Sequence, residues 1–125
     1  SMIRVLDEKR STKFYETAFG FVPAERIDFD NFTLIYLSNR EMEFELELTV
    51  NKGRSEPYNH GDGYGHIAVV VDGLEAWHKR VEAAGLAPGA IKQLDHQGTR
   101  LARFFFMQDP DGYKIEVIER GGRFR

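Results

Sequence analysis

The chain has 125 residues, enough for one compact domain with a core of its own. Its 17 basic and 20 acidic residues leave a net charge of -3, which gives a nucleic-acid role no electrostatic support. No apolar run approaches the ~20 residues of a membrane-spanning helix, and no signal-peptide core is expected at the N-terminus. Cysteine is absent, so disulfides and thiolate metal sites are excluded, any metal is held by N and O ligands, and a reducing cytoplasm fits.

Residues 3–7 read as a strand, followed by a helical pattern carrying Phe14, Tyr15 and Ala18 that Gly20 stops. Strands are expected over 25–30, 32–37 and 44–50, with Asp30-Asn31 as turn chemistry. A polar stretch over 51–65 connects to a second half of the same kind. There, 66–72 reads as a strand, and Leu74, Trp77, Val81 and Ala84 recur at helical spacing before Gly85. Three more strands follow, over 87–95, 101–107 and 113–119, the last preceded by a turn at Asp111-Gly112. Asp7 and Asp72 are 65 apart (72 minus 7), and so are Gly20 and Gly85 (85 minus 20). The expected fold is therefore α+β, a single domain of two tandem βαβββ modules. Module one covers about 1–50, the connection about 51–65, and module two about 66–119.

Three polar residues stand where strands are expected. Glu47 and Glu116 lie in the fourth strand of their modules, and His66 opens the first strand of module two. A carboxylate or imidazole among strand residues is costly unless paired, and a divalent metal is the simplest partner for two Glu and one His. Taken singly, His66 reads equally as a strand-start histidine satisfied by hydrogen bonds, and Glu47 as part of a solvated face. The repeat places a strand-one ligand of module one near position 1 (66 minus 65). Glu43 and Glu45 read as rim residues, and Glu119, of opposite parity to Glu116, as a solvent residue.

Arg4 is unusual within an apolar strand and reads either as a salt bridge to Asp7 or a neighbour, or as a ligand-binding residue. Asn51 reads as a strand end. His60, His78 and His96 fall on loop or helix-surface positions, and Asp109-Pro110-Asp111-Gly112 reads as a turn alone. Phe104 and Phe106 share one face and Phe105 the other, as core and cavity wall. Residues 120–125 read as a mobile tail.

These pieces together resemble the vicinal oxygen chelate superfamily and, within it, glyoxalase I (lactoylglutathione lyase). The resemblance rests on Met2-Ile3-Arg4-Val5, Lys13-Phe14-Tyr15, Phe19-Gly20, Glu47-Leu48-Thr49, Asn51, Tyr64-Gly65-His66-Ile67-Ala68 and Asp109 to Glu116. It implies two curved mixed sheets, each forming a sheet-lined cavity with a partner module across a homodimer. It implies Glu47, His66 and Glu116 as metal ligands, with Glu116 also the catalytic base. Arg4 and Asn51 match positions that hold glutathione, the co-substrate, and Arg100 falls near the glycyl end of the substrate. The metal implied is Ni(II) foremost, with Co(II) or Zn(II) also suited to the donor set. The activity implied is isomerisation of the methylglyoxal-glutathione hemithioacetal to S-lactoylglutathione through an enediolate.

One departure stands out. Family members read His-(Ser/Thr)-Met-(Ile/Leu)-Arg-Val, and that His is the fourth ligand. Here the sequence reads Ser1-Met2-Ile3-Arg4-Val5, so the His would stand one residue before Ser1, and impaired activity is expected of this chain. A ring-cleaving dioxygenase would need a second His at the matching strand, which is lacking. A CoA-ester epimerase, or a metal-free binding protein of the bleomycin-resistance type, is the alternative. The retained set of Glu47, His66, Glu116, Arg4 and Asn51 argues against the metal-free protein.

Overall fold

The computed structural model describes residues 1–125. Two compact units divide the chain, Ser1–His60 and Gly61–Arg125. Each is a four-stranded mixed sheet with one long helix, in the order strand, helix, then three strands.

In the first unit, β1 (Met2–Arg4) is followed by α1 (Glu8–Phe19) and by β2 (Val22–Asp28), β3 (Phe32–Ser38) and β4 (Leu46–Asn51). The sheet order is β1-β4-β3-β2, with β1 parallel to β4 and the other pairs antiparallel. Helix α1 starts where the Asp7 carboxylate accepts the Arg10 backbone N–H at 2.8 Å, an N-cap worth about 1 kcal/mol. It ends at Gly20, whose N–H donates to the Glu16 carbonyl at 2.9 Å. Between these ends Ser11, Phe14, Tyr15, Ala18 and Phe19 form the buried stripe. They cover the sheet face made by Ile3, Ile35, Leu37, Leu46 and Leu48, all at most 4% exposed. Strand parity then leaves Met2, Arg4, Tyr36, Glu47, Thr49 and Asn51 on the opposite face.

The second unit repeats the plan with β5 (Ile67–Val71), α2 (Leu74–Ala83), β6 (Lys92–His96), β7 (Thr99–Gln108) and β8 (Lys114–Glu119). Its sheet order is β5-β8-β7-β6, with β5 parallel to β8. Val69, Val71, Phe105, Met107, Ile115 and Val117 are buried, with Leu74 and Val81 of α2. Ala68, Phe104, Phe106 and Glu116 stand on the other face. No helix is long and apolar enough to cross a membrane.

Several expectations are corrected. The strand expected over 87–95 begins only at Lys92, because Ala87 has φ 50° and Pro88 has no N–H to give a ladder. The β6–β7 hairpin turns at Gln97-Gly98, both at positive φ, within the gap left between the expected strands. Asp7 lies outside the first strand and caps the helix. Residues 120–125 are tied down, since the Arg120 N–H donates to the Val71 carbonyl at 2.9 Å and Gly121 bridges Phe124. Glu119 accepts from Arg103 Nη1 at 3.0 Å, and its side chain is only 26% exposed. It is ion-paired across neighbouring strands of the sheet and is not a solvent residue. The stretch 109–112 is a turn as expected, with the Asp109 carboxylate accepting the N–H groups of Asp111 and Tyr113 at 2.9 and 3.0 Å.

Candidate metal and active site

The uncovered face of the second sheet carries the closest polar pair among the expected ligands. Glu116 lies in register between Ala68 of β5 and Phe106 of β7. His66 stands two residues before Ala68 and so shares its face. Its Nε2 lies 3.0 Å from Glu116 Oε2, with the carboxylate side chain 16% exposed and the imidazole 39%. The imidazole packs edge-on to the Phe106 ring at 5.3 Å, which itself packs on Phe104 at 5.5 Å. Tyr64 anchors the approach to His66. Its hydroxyl donates to the Lys114 carbonyl at 3.0 Å, and burial, then the nearby Asp109 charge, holds that phenol above its ordinary value. Phe106 also lines a cavity of about 470 Å³ with Leu86, Ala87, Gln108 and Lys114, to which neither His66 nor Glu116 contributes, within the size range of small-ligand sites.

The uncovered face of the first sheet holds the remaining candidates. Glu47 lies between Met2 and Tyr36. Thr49 Oγ1 donates to Glu47 Oε1 at 3.4 Å. The Tyr36 hydroxyl is pushed up first by burial and then by the Glu47 charge. Arg4 is in register with Thr49, and Asn51 closes β4, its Nδ2 donating to Tyr58 Oη at 2.9 Å. Arg4, Glu47, Thr49 and Asn51 thus share one face of adjacent parallel strands.

Within one chain no group of three His, Asp or Glu side chains forms that could hold a metal ion. The structure brings His66 and Glu116 together. Glu47 stands on the other unit's sheet with Thr49 and Tyr36. Arg100 lies opposite Asp95 near the tip of the β6–β7 hairpin, six residues before Phe106 and hence about 20 Å along the strand from it.

Register also refines the repeat. Glu47 pairs with Met2 as Glu116 pairs with Ala68, an offset of 66 (68 minus 2). The counterpart of His66 is therefore the position directly before Ser1, one residue earlier than the helix-to-helix spacing implied. The Ser1 carbonyl accepts the Glu47 N–H at 2.8 Å, so the parallel ladder runs up to that position.

Sequence reasoning missed Tyr36, Tyr58 and Arg103. The first could have been found by pairing strands, since each candidate glutamate faces an aromatic residue across the antiparallel ladder, Tyr36 for Glu47 and Phe106 for Glu116.

Comparison with known proteins matches residues 1–117 to the model of the Glyoxalase/Bleomycin resistance protein/Dioxygenase superfamily. The lactoylglutathione lyase of Haemophilus influenzae is 39% identical over 128 residues, spanning 95% of this chain and 89% of that protein. A probable lactoylglutathione lyase of Synechocystis is 34% identical over 131 residues, spanning 98% and 95%. Among solved structures, the trypanothione-dependent glyoxalase I of Leishmania major aligns with a TM-score of 0.74 at 35% identity, over 95% of this chain and 83% of that one. A glyoxylase/bleomycin resistance protein/dioxygenase domain from Frankia aligns at 0.80 with 16% identity, over 97% and 94%, a likeness of fold alone.

Proposed function

Because the chain belongs to the Glyoxalase/Bleomycin resistance protein/Dioxygenase superfamily, we propose that it is a glyoxalase I-like lyase acting in the cytoplasm. In this reading it isomerises the hemithioacetal of methylglyoxal and glutathione to S-lactoylglutathione. The observation that carries the reading is the His66–Glu116 pair at 3.0 Å on an uncovered sheet face.

Glu116 is the proton carrier. It takes the proton from the carbon that bears sulfur and hydroxyl and returns a proton to the neighbouring carbonyl carbon. That role needs a carboxylate held in one position and partly shielded from water, as Glu116 is between Ala68 and Phe106. Phe106 and Phe104 exclude water from one side of it. Arg4 and Asn51 bind the glutathione moiety, and Arg100 serves its glycyl end.

The donors present fit a metal. Imidazole and carboxylate without thiolate suit Ni(II), Co(II) or Zn(II), with Ni(II) foremost. Glu47 of one chain, with His66 and Glu116 of a second copy in a homodimer, would hold it. When bound it supplies a Lewis acid that takes up developing negative charge on oxygen. A fourth ligand belongs at the position before Ser1, on the same face as Met2 and Glu47 by parity.

The test is S-lactoylglutathione formation by this chain and by a version with His placed before Ser1, each with Ni(II), Co(II) and Zn(II). Activity raised by the added His supports the reading. No activity in either version with any metal leaves a different substrate, or ligand sequestration by a metal-free protein.

A further inference from the structure

The two units part company just after their helices. In the first, Val22 enters the sheet two residues past Gly20 and pairs with Ser38 of β3. By the repeat, Ala87 stands where Val22 does (87 minus 22 is 65). Gln108 stands where Ser38 does, since each lies two residues past the aromatic that faces the strand-four glutamate. Ala87 and Gln108 do not pair, and β6 joins β7 only at Lys92, opposite Phe104. The Ala87 backbone has φ 50°, a left-handed conformation that a β-branched residue such as Val22 resists.

The segment that leaves the sheet is pinned at both ends. At one end the Leu86 N–H donates to the Val81 carbonyl of α2 at 3.0 Å. At the other the Gly89 N–H donates to the Phe106 carbonyl at 2.8 Å, and the Gly89 carbonyl accepts from His78 Nε2 at 2.8 Å. A Cβ at Gly89 would lie 3.2 Å from that Phe106 carbonyl, so glycine lets the segment close on the strand. Where the first unit has a strand pair, the second therefore has the cavity of about 470 Å³.

The cavity wall has an apolar part, Leu86, Ala87 and Phe106, and a polar part, Gln108 and Lys114. Gln108 and Lys114 are partners across β7 and β8, on the face that carries Phe106 and Glu116. The Lys114 ammonium makes no ion pair and lies 6.0 Å from the Phe106 ring centroid. The Gln108 amide makes no hydrogen bond within the chain. Asp109 is the one carboxylate of the wall, and its Oδ1 accepts from the Asp111 and Tyr113 N–H groups.

We propose that this cavity binds a small organic carboxylate with a short apolar body. The carboxylate meets the Lys114 ammonium and the Gln108 amide, whose N–H donors have no other acceptor, and the body lies against Leu86, Ala87 and Phe106. The site is separate from the His66–Glu116 pair and shares with it only the Phe106 ring, which packs on His66. The proposal stands independently of the glyoxalase I-like reading.

The experiment titrates phenylacetate, and separately its neutral amide phenylacetamide, into the full chain and follows amide and side-chain shifts by NMR. Phenylacetate should give saturable shifts centred on Leu86, Ala87, Gln108 and Lys114. It should bind about tenfold tighter than phenylacetamide, the scale of a hydrogen bond to a charged group. Lys114→Met keeps the stem and the backbone carbonyl, removes the charge, and should abolish that preference. Lys92→Met removes an exposed charge outside the cavity and should leave the preference unchanged. Spectra of both variants that overlay the parent away from the substituted residue establish that they are folded. Equal binding of acid and amide, a preference kept in Lys114→Met, or a preference lost equally in Lys92→Met overturns the proposal. So does an absence of saturable phenylacetate shifts, or shifts centred on His66 and Glu116 instead.

Discussion

The two units share a plan and a clamp but differ in what their uncovered faces hold. In each, the glutamate in the first turn of the helix is gripped by an arginine from the sheet. Glu8 accepts from Arg26 at 2.7 and 3.1 Å in the first unit, and Glu75 accepts from Arg103 in the second. The second clamp is tighter, because Arg103 is 23% exposed against 48% for Arg26 and also bridges Glu119. The helices differ in the opposite sense. Helix α1 buries five residues behind a side-chain cap, whereas α2 buries Leu74 and Val81 and starts at Gly73 without one. Ionic anchoring and apolar anchoring substitute for one another on a common frame. The faces turned away from the helices then diverge freely, one with His66 against Glu116, the other with Glu47 beside Thr49 and Tyr36.

The comparison breaks most sharply at the two glutamates. Glu116→Gln should lower lactoylglutathione formation by about 10²–10⁴-fold, the contribution of a positioned proton carrier. Glu47→Gln should weaken metal affinity without removing the proton carrier, with activity recovering at high metal concentration. Equal losses in both variants, neither relieved by metal, would remove the division of roles.

Next in size are the cores. Phe21→Ala in the first unit and Phe105→Ala in the second, both at most 1% exposed, should each cost about 3–5 kcal/mol in urea unfolding. A loss under about 1 kcal/mol at either site would show that its sheet is held by something other than the buried ring.

Smaller again is the helix start. Asp7→Ala should cost about 1 kcal/mol, read as a lower urea midpoint with unchanged slope. Arg103→Met should destabilise more than Arg26→Met, because it strands two carboxylates where the other strands one.

The smallest effect is on the acid side. Hydrogen bonding to Lys52 and then to Thr33 holds Asp28 below its ordinary value, and Arg103 does the same for Glu75. A depressed folded-state value means stability that is present above the ordinary carboxylate range and is lost as pH falls through the folded value. Asp28→Asn and Glu75→Gln should each flatten the loss of stability on acidification and leave the neutral-to-alkaline limb alone. Both groups are exposed, so the effect should shrink in high salt. Acid titrations of the variants that overlay the parent curve would assign the acid limb to other carboxylates.

Much of this was readable along the chain because it repeats. Apolar periodicity, a glycine at the end of each helix, and Glu47, His66 and Glu116 at matching strand positions announced two βαβββ units and their polar faces. A boundary failed where backbone conformation overrode pattern, at Ala87-Pro88. Arg103 hides in an apolar run, since period two gives its face but says nothing of Glu75 across on the helix. Tyr58 has no pattern at all, because its link to Asn51 depends on a loop that doubles back.

Composition, charge and periodicity were sufficient for the fold class, for the absence of sulfur ligands and for which residues share a strand face, because those follow from side-chain chemistry and the two-residue repeat of a strand. Register, loop closure and partner choice belonged to the folded molecule. Whether His66 meets Glu116 and where its counterpart falls relative to Ser1 depend on how distant segments align. One step of slip along a strand would turn each of those side chains to the other face.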